Sequence, residues 1–119
     1  MRTLMGALLC AGLLMTGAQA AGNVGAGRAL AIDACSACHQ VTARHMTPPP
    51  VFNPEEGVDV AAPSFPVIAK KYARRPSALR HMILSPPHPM REQLWDRADL
   101  AAVVAFIQSL RVPVPRHAR

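Results

Sequence analysis

The chain reads as an all-α protein of one domain, and three observations carry that reading. Half of its residues are hydrophobic yet only 4% are aromatic, a balance that suits small packed helices better than a sheet. Its patterned stretches repeat apolar residues at spacings of three and four, as one face of an α-helix requires. Proline clusters separate those stretches, and no internal repeat or second domain is visible.

The first stretch is a leader. Met1-Arg2, the apolar run from Leu4 to Met15, and Thr16-Gly17-Ala18-Gln19-Ala20 make a basic start, a short apolar core and an A-x-A cleavage site. The run falls short of the ~20 residues a spanning helix needs, and it ends in small residues rather than basic ones. Leu9, not a small residue, precedes Cys10, which argues against a lipidation site. The expected division is a signal peptide over residues 1–20, cleaved after Ala20, and one domain over 21–119. No stable membrane insertion is expected after cleavage. The trimmed chain keeps two cysteines, Cys35 and Cys38, so no disulfide framework explains them.

Gly27, Leu30, Ala31 and Ala34 share a face of a first helix. A glycine inside a helix costs about 1 kcal/mol against alanine. Gly27 therefore either marks a close helix–helix approach or merely begins the helix. The helix runs into Cys35-Ser36-Ala37-Cys38-His39, a C-x-x-C-H run that reads as a c-type haem attachment site. Two thiols at that spacing reach two vinyl groups, and the histidine that follows comes under the iron as proximal ligand. Two other readings compete. A thioredoxin-like pair needs a βαβ setting, and nothing nearby alternates like a strand. Half a zinc site would need a second cysteine pair, and none follows.

Residues 41–63 read as one long loop, because Thr47-Pro48-Pro49-Pro50 and Phe52-Asn53-Pro54-Glu55-Glu56-Gly57 suit neither a helix nor a central strand. Helical patterning resumes after Pro63, with Ser64 as cap, Pro66 in the first turn, and Phe65, Ile68 and Tyr72 on one side. Lys70, Lys71, Arg74 and Arg75 form a basic stripe expected on that same helix. A second short helix starts at Pro76-Ser77, turns Leu79, Met82 and Ile83 inward, and stops at Ser85-Pro86-Pro87. A methionine between prolines, in Pro86-Pro87-His88-Pro89-Met90, suits a distal iron ligand, since a stiff loop holds its sulfur in place. Met90 leads His88, Met82, Met46, His45 and His81 for that role. Asp96 and Asp99 resemble a capping box, and the last helix carries Leu100, Val103, Val104, Ile107 and Leu110 up to Pro113.

Together these residues resemble the class I, monohaem cytochrome c family, in its small exported bacterial form. The resemblance rests on Gly27-x-x-Leu30, Cys35-Ser36-Ala37-Cys38-His39, Ala62-Pro63-Ser64-Phe65, Pro87-His88-Pro89-Met90 and Ala105-Phe106-Ile107-Gln108-Ser109-Leu110. It implies a helical fold wrapped around one covalently bound haem, with Gly27 meeting Phe106 where the first and last helices cross. It also implies that the carbonyl of Pro63 receives the free ring N–H of His39. Two departures stand out: a longer segment between His39 and Pro63, and Arg91 directly after Met90.

The function expected is one-electron transfer in a periplasmic respiratory or oxidative chain, with His39 and Met90 as axial ligands. An open-site haem enzyme of peroxidase type and a cytochrome subunit of a larger oxidoreductase are the alternatives. The formal net charge is +6, only Arg2 leaving with the leader. With no acid between Asp59 and Glu92, the basic stripe is expected to meet an acidic redox partner. No aromatic-interleaved basic stretch or groove-reading motif points to nucleic acid.

Overall fold

A computed structural model describes residues 22–111. Its elements are α1 (Val24–Cys35), β1 (Val51–Asn53), β2 (Val58–Val60), α2 (Phe65–Lys71), α3 (Pro76–Leu84) and α4 (Arg97–Ser109). The leader expected at 1–20 and the prolines and basic residues after Arg111 lie outside the described residues. No helix among the described residues is long and apolar enough to cross a membrane.

Local chemistry explains where α1 and α4 begin. The Asn23 side chain accepts from the Ala26 amide at 3.0 Å, and the Asp96 side chain accepts from the Asp99 amide at 2.8 Å. Each bond satisfies one of the amides that a first helical turn leaves without a partner. Proline stands in the first turn of both α2 and α3, where its missing N–H costs nothing.

The core forms where α2, α3 and α1 close on α4. Ala31, Phe65, Ile68, Leu79, Ile83, Val103 and Ile107 are all buried there. α1 and α4 approach at backbone distance. A Cβ added to Gly27 would overlap the carbonyl of Ala102 and come within 3.0 Å of the Phe106 Cβ. One added to Gly22 would overlap the carbonyl of Ala101. Of the two readings of Gly27, the structure selects the close approach.

Two expectations need correction. Residues 41–63 are not loop throughout, because β1 and β2 pair as an antiparallel hairpin with Val51 opposite Val60 and Asn53 opposite Val58. Asn53 makes the turn: its side chain accepts from the Glu55 amide, and its carbonyl accepts from the Gly57 amide at 2.8 Å. Gly57, at φ +69, supplies the left-handed residue that closes it. Pro54 then sits in a turn, so it removes no ladder bond.

The second correction concerns the basic stripe, which does not lie on one helix. α2 ends at Lys71, Arg74 is left-handed at φ 60, and Arg75 is the non-helical residue before α3. Pro76 is the cause, since it disfavours helical backbone at the residue before it. The charges converge in a different way. The Lys71 ammonium lies 5.5 Å and the Arg75 guanidinium 5.9 Å from the centre of the Tyr72 ring. The corner is pinned to α4 by the Gln108 side chain, which donates to the Tyr72 carbonyl at 2.9 Å.

Candidate functional site

The C-terminal turn of α1 and the residues after it place the candidate site. The Cys38 and His39 amides both donate to the Cys35 carbonyl, at 3.2 and 2.9 Å, so the backbone turns back on itself between the two cysteines. That turn brings His39 beneath the core. Its Nδ1 lies 2.8 Å from the Pro63 carbonyl oxygen, and since a carbonyl only accepts, Nδ1 carries the proton. Nε2 is left with its lone pair. The His39 ring meets Phe65 edge-on at 5.6 Å, and Phe65 meets Phe106 at 6.1 Å. Aromatic contacts thus run from the histidine to the glycine-mediated crossing of α1 and α4.

A single cleft gathers the donors. Cys35, His39, Met82 and Met90 line it, and Phe65, Ile68, Ile83, Val103 and Ile107 complete its walls. No Lys, Arg, Asp or Glu lines it among the described residues. Met90 reaches it from a turn in which its amide donates to the Pro87 carbonyl at 3.0 Å. Both thiols are free. Burial, with Cys38 adding to it, pushes the Cys35 thiol up to about 11, so that thiol is neutral at physiological pH.

The other sulfur and imidazole candidates point elsewhere. His88 is exposed, with Nε2 3.6 Å from a Glu55 carboxylate oxygen on the hairpin turn. His45 shares a 2.6 Å hydrogen bond between Nδ1 and the Thr42 hydroxyl. His81 lines a separate groove on the outer face of α3, and Met46 is 89% exposed.

The family model described as Cytochrome c matches residues 24–111. The chain belongs to the cytochrome c family. Comparisons with curated proteins and with solved structures return no match. A cytochrome c binds haem covalently and transfers electrons, and the residues of this cleft fit that cofactor. Of the two free thiols able to form thioethers, Cys35 lines the cleft and Cys38, three residues on, does not; one imidazole has its Nε2 free, two thioether sulfurs are available, and the walls are apolar. The cleft holds only about 30 Å³, against the several hundred that ligand pockets of ~300–1,000 Å³ provide. A porphyrin seated here would have to part the side chains along it, of which Met82 and Met90 are half-buried and unbranched.

Some of the supporting residues carry no sequence signal. Val41 is fully buried although it stands alone between Gln40 and Thr42, where no period can reveal it. Gln40 joins the cytochrome motif to α2 by accepting from the Phe65 amide at 3.0 Å, and its side chain donates to the His45 carbonyl. Gln93 reaches across the fold to donate to the Ala34 carbonyl at 3.1 Å.

Proposed function

We propose that this cytochrome carries one electron at a time between partner proteins, exported to the periplasm after cleavage at Ala20, with His39 and Met90 as axial ligands. The observation that carries the ligand assignment is the tautomer of His39. Its bond to Pro63 aims a free Nε2 lone pair into the cleft that Met90 also lines, while His88 faces Glu55. Cys35 and Cys38 would hold the haem by thioethers, which keep it in place through every redox cycle. Bound there, the haem supplies a site that gains or loses a single electron at iron.

The chain's own residues set the conditions. The Pro63 carbonyl orients the imidazole and makes it a better donor. The Met90 thioether, soft and neutral, would favour the ferrous state and so raise the potential above that of two imidazoles. Phe65, Ile68, Val103 and Ile107 exclude water and keep the surroundings of the charge change dry. Lys70, Lys71, Arg74 and Arg75 are all exposed, with Lys71 and Arg75 over the Tyr72 ring, and form a docking corner for an acidic redox partner.

The test is the exported, haem-loaded protein. Its mass should equal residues 21–119 plus one haem. Its ferric spectrum should show a methionine–iron charge-transfer band, and its reduced form one strongly ring-shifted methionine methyl resonance. That resonance should vanish in Met90→Ala and persist in His88→Ala. Its survival at the wild-type shift in Met90→Ala would move the axial position to another donor, and a retained N-terminus on membrane-bound protein would make residues 4–15 an anchor.

A further inference from the structure

The cleft holds two thioethers, and the reading above uses one. Met82 and Met90 line it together with His39, while every other methionine or histidine candidate among the described residues points elsewhere. Met82 also differs from its neighbours on α3. Leu79 is 0% and Ile83 5% exposed, closed over by protein, whereas Met82 is only half-buried beside them. It packs on the edge of the core and borders the cleft beside Ile83, which is buried in the cleft wall.

The two sulfurs are held in different ways. Met90 sits in a surface turn closed by its own amide on Pro87, with exposed His88 and Arg91 close by in sequence. Such a turn opens at little cost, because few buried contacts are lost. Met82 is carried by a helix that the core anchors, and its three rotatable side-chain bonds let the sulfur move without the backbone. We propose that Met82 is a reserve axial donor: when Met90 leaves the iron, the Met82 sulfur takes the sixth position and keeps the site closed to small ligands. This rests on Met90 being the ligand of the resting protein. The exchange breaks one iron–sulfur bond and forms another, with no electron or proton gained or lost.

The experiment compares the haem-loaded wild type with Met90→Ala, Met82→Leu and the double variant Met82→Leu/Met90→Ala. Met82→Leu conserves volume, so the cleft keeps its packing. The readouts are the ferric spin state, the ring-shifted methyl resonance of ¹³C-methyl-methionine protein after reduction, and the rate of imidazole binding to the ferric form. Met82→Leu should keep the wild-type methyl resonance, which belongs to Met90. Met90→Ala should stay mainly low-spin, with a methyl resonance at a new shift. The double variant should lose that resonance, turn high-spin and bind imidazole at least about tenfold faster than Met90→Ala. A Met90→Ala protein that is already high-spin, and binds imidazole as fast as the double variant, would overturn the proposal while leaving Met90 as the resting ligand. Loss of the wild-type resonance in Met82→Leu, with Met90→Ala unchanged, would overturn both.

Discussion

The two sides of the cleft are built differently. On the side of His39, α1 and the Gly22 that precedes it touch α4 at backbone distance, Gly27 making the crossing, and Phe65 and Phe106 pack between that crossing and the imidazole. On the side of Met90, the hairpin and the 85–96 segment expose Phe52 and Leu94, and a 3.6 Å contact between exposed His88 and Glu55 joins them. Protein packs against protein on the first side. On the second, apolar side chains stand exposed, and a small domain with a modest core has little protein to cover them.

The sharpest way to break the comparison is to remove the covalent anchor. Replacing Cys35 and Cys38 with Ala should yield a chain that loses haem to acidified organic solvent and loses its helical circular dichroism. A double-Ala variant that keeps its helical circular dichroism without haem would show that protein packing suffices on both sides.

Gly27→Ala tests the first side alone. The added methyl overlaps the Ala102 carbonyl, which cannot rotate away, so the cost should be at least the ~1–3 kcal/mol of core overpacking. A fall of roughly 10 °C in the melting temperature of the haem-loaded protein is expected. Gly25→Ala is the internal control, since its nearest neighbour is the Asn23 side chain at 3.3 Å. Its cost should be well below that of Gly27→Ala, because the Asn23 side chain can give where the Ala102 carbonyl cannot. Equal losses at both positions would mean that the crossing is not what restricts Gly27.

The basic corner should matter to encounter and not to folding. Lys70→Glu with Lys71→Glu is expected to slow the bimolecular electron-transfer step about tenfold at low salt, through lost steering. The spectrum and potential should hardly move. The wild-type rate should fall as salt rises, since screening shortens to ~8 Å near physiological ionic strength. Stopped-flow kinetics that ignore both salt and the reversals would leave the corner as solvated surface.

The smallest effect belongs to the second side. Glu55→Gln removes a contact between two largely exposed groups, and such pairs contribute ~0–1 kcal/mol. Melting should shift by a degree or two. A shift as large as that of Gly27→Ala would show that the hairpin braces the Met90 turn far more than its exposure suggests.

What the sequence determined by itself was whatever short-range chemistry dictates. The C-x-x-C-H spacing, the Asp96 cap, the proline-started helices and their apolar faces all depend on residues within a turn or two of one another. The expected meeting of Gly27 with Phe106 and of His39 with Pro63 came from family resemblance, and the geometry places both pairs together. Tertiary structure decided the rest. Val41 becomes core because Gln40 is tied to the start of α2, and the hairpin forms because Asn53 closes a turn that its prolines had disguised. His88 and Met90, two residues apart, part company because one meets Glu55 from a distant strand turn while the other enters the cleft. Lys71 and Arg75 converge on Tyr72 across a helix break instead of along a helix. In each case the partner lies far along the chain or across a backbone turn, so no local period records it, and only the folded path brings the groups within reach.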